Sequence, residues 1–183
     1  MEARGARTTG AARHHAVPKD SARNGSQGEV TMTPGNGIPL RPFGNTGEQV
    51  SLLGLGGYHI GVPPEDEAIR LMHVAFDAGV TFLDNAWEYN AGISEMRMGK
   101  AIKTWSGTRD KLFVMTKDCA HDRKAKHSLL KLEQSLQRLQ VEYLDLWQIH
   151  EVVWEDDPDW IFRRGTAQGE GARKGPVHRL HRA

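Results

Sequence analysis

The chain has 183 residues, with 24 Lys and Arg against 23 Asp and Glu and a single cysteine. That length suffices for one domain but falls short of the roughly 250 residues of a complete eight-unit βα barrel. A formal net charge of +1 argues for neither a nucleic acid nor a membrane surface as partner, Cys119 alone forms no internal disulfide and fits a reducing, cytoplasmic compartment, and no apolar run approaches the roughly 20 residues of a membrane span.

Charge is unevenly spread. Residues 1–35 and 163–183 together hold 11 of the 24 basic residues but only four of the 23 acidic ones. An acidic centre between basic, Gly-rich ends predicts a folded piece, residues 36–162, between two disordered tails. The first tail, 1–35, has almost no large apolar residues and cannot bury enough surface to offset its ordering entropy. It lacks the roughly 7–15-residue apolar core of a secretory signal. Its arginines without an amphipathic period are a poor transit peptide, and its His14-His15 pair has no obvious third metal ligand. Pattern begins shortly after Met32, which makes that residue a candidate start.

Order is expected from about Ile38. Arg41-Pro42-Phe43-Gly44, Asn45-Thr46-Gly47 and Gln49 to Leu53 read as a hairpin with a Gly-containing turn. Leu53-Gly54-Leu55-Gly56-Gly57-Tyr58 reads as a first barrel strand and its exit loop. Its glycines do not spell G-x-G-x-x-G and no helix is expected directly behind them, so a dinucleotide fingerprint is not read here. Gly54 reads as a close-packing position, whereas Gly57 and Tyr58 on the exit loop are candidates for touching a ligand.

Pro63-Pro64-Glu65-Asp66-Glu67 opens a helix, with acids at its positive dipole end. Ala68, Ile69, Met72, Ala75 and Phe76 are its inward face and Gly79 its stop. A strand over Val80 to Ala86 follows, then a helix from Ser94, as cap, to Thr104. After a turn at Gly107 to Asp110 comes a strand ending at Lys117, then a helix over about Lys124 to Gln140. Leu129, Leu132, Leu136 and Leu139 are the expected buried stripe of that helix, too short to be a zipper. A strand from Leu144 reaches His150. Alternating strand and helix predicts a parallel sheet with helical crossovers. Beyond it, Pro158 to Phe162 looks like a helix start. From Arg163 neither period survives, and so abrupt a switch suggests a shifted reading frame, which sequencing the locus in three frames would decide.

The chemistry-bearing residues sit at strand ends. Asp84, Lys117 and His150 close three apolar runs about 33 residues apart, the size of one βα unit, and Tyr89 lies five residues beyond Asp84. On neighbouring parallel strands of one barrel all three reach its C-terminal face, where such barrels carry their chemistry. Taken singly, each has a plainer reading: a structural Asp–Lys pair, a packed loop tyrosine, a satisfied strand-end histidine. Cys119, His121 and His127 match no common zinc spacing. Trp87 and Trp147 either border a pocket or pack.

Taken together, these residues resemble a family. Phe82-Leu83-Asp84-Asn85-Ala86-Trp87-Glu88-Tyr89, with Ser94-Glu95 and Met98-Gly99-Lys100-Ala101 behind it, then Thr116-Lys117, then Leu144-Asp145-Leu146-Trp147-Gln148-Ile149-His150, is similar to an aldo/keto reductase. The opening Arg41-Pro42-Phe43-Gly44-Asn45-Thr46-Gly47 fits as well. The resemblance covers about residues 38–162 and implies an α/β fold: the N-terminal half of a (β/α)8 TIM barrel preceded by a β-hairpin, with disordered tails. It implies a catalytic tetrad of Asp84, Tyr89, Lys117 and His150, a reduced nicotinamide, NADPH, as hydride donor, and a small-molecule carbonyl as substrate. Hydride delivery builds negative charge on the carbonyl oxygen, which needs a proton or a positive field. A phenol is a reluctant acid near neutral pH, and a neighbouring ammonium stabilises the phenolate it leaves. Lys117 supplies that ammonium, Asp84 holds Lys117, and His150 orients the carbonyl.

The family's main NADP-binding loops follow its seventh and eighth strands. The resemblance therefore leaves, of the cofactor site, Gly57, Tyr58, Asp84 and the residues lining the nicotinamide in this chain. Three readings stay open: a truncated oxidoreductase, weak or inactive alone; a non-catalytic half-barrel that needs a second copy or a partner chain at its open sheet edges; and a binding or regulatory subunit that keeps the tetrad without turnover.

Overall fold

The computed structural model describes residues 37–119, 125–151 and the backbone of 180–181. The N-terminal tail, His121, the segment Pro158 to Phe162 and nearly all of 163–183 lie outside the described residues. In chain order the elements are β1 (Leu40–Pro42), β2 (Gln49–Ser51), β3 (Gly54–Gly56), α1 (Gly57–Ile60), α2 (Glu65–Asp77), β4 (Phe82–Asp84), α3 (Ile93–Thr104), β5 (Phe113–Asp118), α4 (Ala125–Leu139), β6 (Tyr143–Leu144), β7 (Leu146–Ile149) and β8 (Leu180–His181). Among the described residues no helix is long and apolar enough to cross a membrane.

β1 and β2 form the expected antiparallel hairpin, with Leu40 opposite Ser51. β3, β4, β5 and β7 then form one sheet in that order, every pair parallel. Each strand lies beside the previous one and each connection carries a helix, so the sheet winds as the first half of a βα barrel. Neither outer edge, β3 or β7, pairs with another strand among the described residues.

The two faces of the sheet follow from its period of two. Leu83 and Val114 face the helices and join Met72, Met98, Leu136, Leu139 and Leu144 in the main core. Phe82, Phe113, Met115 and Leu146 face the other way and pack on Phe43 and Val50 of the hairpin. The hairpin thus floors the inner face, and the next inward positions toward the strands' C-terminal ends fall to Asp84 and Lys117.

Local chemistry accounts for most helix limits. α2 begins behind Pro64 with Glu65, Asp66 and Glu67 in its first turn and buries Ala68, Met72 and Phe76. Gly79 ends it at φ +95°, where a side chain is strained. Three expectations need correction. A single helical turn, α1, does open directly behind β3, too short to be the long helix of a dinucleotide fold. Ser94 is not the cap of α3; Gly92, at φ +88°, holds that place, and the buried Ser94 hydroxyl accepts a hydrogen bond from Asn90 Nδ2 at 3.0 Å. Leu129 is 56% exposed, because the inward row of α4 runs Ser128, Leu132, Ser135, Leu136 and Leu139. Polar residues take that first inward place: Ser128 and Lys131 bind the buried Asp118 at 2.5 and 2.8 Å. Within 163–183 the described residues are Leu180 and His181, which form β8 and pair antiparallel with β6.

The strand expected from Leu144 to His150 is broken at Asp145. Its carboxylate accepts from the Val114 amide at 2.9 Å and from Arg109 Nη2 at 2.7 Å, locking the entry to β7 against β5. α3 and α4 meet at Gly99, where an added Cβ would run into the Arg138 carbonyl and the Leu139 backbone. Backbone cannot yield as a flexible side chain does. Gly99→Ala is therefore expected to cost about 1–3 kcal/mol by overpacking. Urea unfolding reads this directly, and an unchanged midpoint would contradict the contact.

Candidate active site

Asp84 ends β4, Lys117 lies one residue from the end of β5, and His150 follows β7. All three belong to the inner side of the sheet by its alternation, at the C-terminal ends of neighbouring strands. The Lys117 ammonium bonds the Asp84 carboxylate and also donates to the Asn85 carbonyl at 2.9 Å. Only 12% of the Lys117 side chain is exposed. Such a cation must be neutralised, and the β4 end supplies both partners.

Tyr89 comes from the loop after β4, and three neighbours surround its ring. Lys117 Nζ stands 5.2 Å from the ring centroid. The His150 ring meets it edge-on at 5.5 Å, and Tyr58 does the same at 5.5 Å. The loop is pinned by Asn90, whose Nδ2 donates to the Tyr58 carbonyl at 2.7 Å. Asn90 and Ala91 take left-handed backbone angles, φ +51° and +53°, to turn the chain from Tyr89 into α3. The four residues predicted from sequence thus lie together at one end of the sheet.

The cofactor candidates differ. Tyr58 is 54% exposed and borders Tyr89. Gly57 lies buried in α1, and a Cβ on it would stand 2.6 Å from Asn85 Oδ1. Its place on an exit loop is corrected: it is glycine because Asn85 packs against it. Asp84 lines a cavity of about 600 Å³ on the inner face, with Arg41, Phe43, Gly56 and Phe82 among its walls. Gly54 is the close-packing glycine expected, its absent Cβ 2.8 Å from the Phe82 ring. A Cβ at Gly56 meets nothing within 4 Å, so that wall of the cavity is open backbone. Trp87 packs rather than bordering the cavity: its Nε1 donates to Gln134 Oε1 at 2.8 Å and Arg138 lies 5.2 Å over its ring. Trp147 packs against the main core.

Two residues at the site were not singled out from sequence. Asn85 is fully buried beneath the loop and gives its carbonyl to Lys117. Glu88 bridges two partners: its Oε1 lies 2.5 Å from His150 Nδ1, and its Oε2 accepts from the Cys119 thiol at 2.8 Å. The available signal was position, since Glu88 directly precedes Tyr89 on a loop that must cross toward the end of β7.

The sequence model described as the aldo/keto reductase family matches residues 52–164. L-galactose dehydrogenase of Arabidopsis thaliana is 34% identical over 124 residues, covering 63% of this chain and 39% of that protein. Among solved structures, the thermostable aldo-keto reductase Tm1743, in complex with the inhibitor epalrestat, superposes with a TM-score of 0.57 at 34% identity, over 61% of this chain and 42% of that one. An aldo-keto reductase from Klebsiella pneumoniae in complex with NADP and acetate gives a TM-score of 0.51 at 28% identity, over 55% and 35%. The chain thus spans about two fifths of the length of the relatives it matches.

Proposed function

Because this chain belongs to the aldo/keto reductase family, we propose that Asp84, Tyr89, Lys117 and His150 are the carbonyl-reducing site of a nicotinamide-dependent oxidoreductase, with Tyr89 as proton donor. The observation that carries this is the convergence of the four: an ammonium 5.2 Å from a tyrosine ring that an imidazole also meets edge-on at 5.5 Å, with a carboxylate on the ammonium. A bound NADPH would supply the hydride. The Klebsiella relative's complex with NADP supports that choice. The residues present fit the redox end of such a group, because Asp84 and the open backbone at Gly56 share one cavity wall and Tyr58 stands exposed beside Tyr89.

The chain's own residues then do the following. Tyr89 donates its hydroxyl proton to the carbonyl oxygen as negative charge develops there. Lys117 stabilises the phenolate left behind, and Asp84 and the Asn85 carbonyl keep the ammonium in place. His150, held through Nδ1 by Glu88, turns Nε2 to the carbonyl oxygen and orients it. The His150 amide, donating to the Asp118 carbonyl at 2.9 Å, fixes the ring's base to the end of β5. The substrate is a small-molecule carbonyl.

Since the chain spans about two fifths of its relatives, NADPH binding by the 183-residue chain alone is expected to be weak. Fluorescence titration checks it, and a micromolar dissociation constant would contradict that expectation. Turnover is tested in a barrel completed by appending the family's remaining βα units after residue 162. Carbonyl-dependent NADPH oxidation is expected there, and a folded but inert barrel would overturn the reading.

A second reading is favoured by the two outer strand edges together with Leu52 and Leu53, 46% and 60% exposed beside β3. It is a half-barrel that associates with a second copy. Light scattering on the eluting chain is expected to show a dimer in that case, and a soluble monomer counts against it.

A further inference from the structure

Glu88, His150 and Glu151 come from two separate loops, after β4 and after β7, yet one ligand atom from each lies within 4.8 Å of the other two. Among the described residues this is the one such group. We propose that these three side chains form a binding site for a divalent transition cation of the zinc class at the rim of the tetrad.

The donor set fits that class. One imidazole nitrogen and two carboxylate oxygens are ordinary zinc ligands at about 2.0–2.2 Å, and three protein ligands leave a fourth position open to water or a small ligand. A nitrogen donor and so few ligands suit magnesium or calcium poorly, since those ions demand oxygen and higher coordination. Two further observations suit a ligating role. The outer oxygen of Glu88 is tied by the Cys119 thiol at 2.8 Å, leaving Oε1 to face His150 and Glu151. Ligating carboxylates are commonly held by a hydrogen bond in this way. The side chains of His150 and Glu88 are also only 17% and 27% exposed, so a cation would find donors already drawn out of bulk water at a mouth it can still reach. His150 Nδ1 and Glu88 Oε1 now stand 2.5 Å apart, closer than two ligands of one tetrahedral ion. Binding would therefore replace the bridging proton and spread the pair by less than the length of a bond. Glu151, at φ +53°, follows His150 directly, so two ligands ride on one turn of backbone.

The site does not depend on the reductase reading. Where that reading holds, a cation on Nδ1 takes the ring nitrogen that otherwise meets Glu88, and Nε2–H remains to face the carbonyl. The test is equilibrium dialysis of the whole 183-residue chain, stripped with a chelator, against zinc ions. Because the chain holds nine histidines, the reading is a difference between proteins. Glu151→Gln and Glu88→Gln, each checked for an unchanged circular-dichroism spectrum, are each expected to lose one zinc equivalent per chain, or to bind it at least about 10-fold more weakly. Excess magnesium is expected not to displace it. Identical zinc number and affinity in the wild type and both variants would overturn the site and leave Glu88–His150 as a proton-bridged pair only. Dialysis reads occupancy without turnover, so this failure leaves the carbonyl-reducing reading standing, and an inert completed barrel leaves the metal site standing.

Discussion

Tyr89→Phe, in the completed barrel, is expected to lower kcat/KM for NADPH-dependent carbonyl reduction by about 10²–10⁴-fold, the range a positioned general acid supplies. The substitution is unusually clean at this position. Phenylalanine keeps the ring that Tyr58 and His150 meet edge-on and that Lys117 overlooks. Only the hydroxyl is lost, so the melting temperature is expected to stay near that of the parent. The loss should fall on kcat rather than on KM, because the proton is needed as charge forms and not to seat the substrate. A variant that keeps full kcat would remove Tyr89 from the chemistry. Lys117→Met should behave similarly in rate but less cleanly in stability, since it leaves Asp84 without the ammonium it bonds.

The largest stability effect is expected at Arg138→Ala, about 3–5 kcal/mol by urea unfolding of the parent and variant. The reason lies in Glu95, which is fully buried at the start of α3. Its carboxylate accepts from Thr116 Oγ1 at 2.7 Å and from Arg138 Nη1 at 3.2 Å. Thr116 is on the helix-facing side of β5, so this carboxylate ties α3, α4 and the sheet together. Removing the guanidinium leaves a buried carboxylate with the Thr116 hydroxyl as its remaining hydrogen-bond partner among the described side chains. It also frees the Trp87 carbonyl, which Arg138 holds at 2.9 Å, beneath the loop that carries Tyr89. The local sequence is shaped to admit the arginine: a Cβ at Gly92 would stand 2.6 Å from the Arg138 guanidinium carbon. If the cost is the uncompensated charge, Glu95→Gln combined with Arg138→Met should lose less than Arg138→Ala alone. A loss below about 1 kcal/mol for Arg138→Ala would mean that water reaches Glu95.

The fold was legible where a period ran long enough to count. Fifteen residues of α4 and thirteen of α2 announced themselves, and the alternation of strand and helix specified the parallel order of β3, β4, β5 and β7. What escaped was decided by contacts between distant residues. Leu129 looked like core because leucines were counted, but the helix phase is set by Ser128 and Lys131 reaching Asp118, a polar bond no hydrophobic pattern reveals. Gly57 was placed on an exit loop, but it lies in α1, where Asn85, 28 positions later, packs against it. Four site residues could be chosen because each is a rare ionisable or phenolic group beside an apolar run. Asn85 and Glu88 could not, since one acts through its backbone carbonyl and the other through a partner 62 residues away. β8 was unreadable for a related reason: a two-residue strand has no period, and its partner β6 lies 36 residues before it.

The account depends on four groups from separate strands and a loop acting as one proton-delivering unit. A double-mutant cycle in the completed barrel measures that directly, using Tyr89→Phe, Lys117→Met and the two combined, with kcat/KM for NADPH-dependent carbonyl reduction as the reading. Residues that work as a unit are grossly non-additive, so the double variant is expected to lose about as much as the worse single one. Losses that multiply, each factor undiminished by the other, would mean that phenol and ammonium act apart.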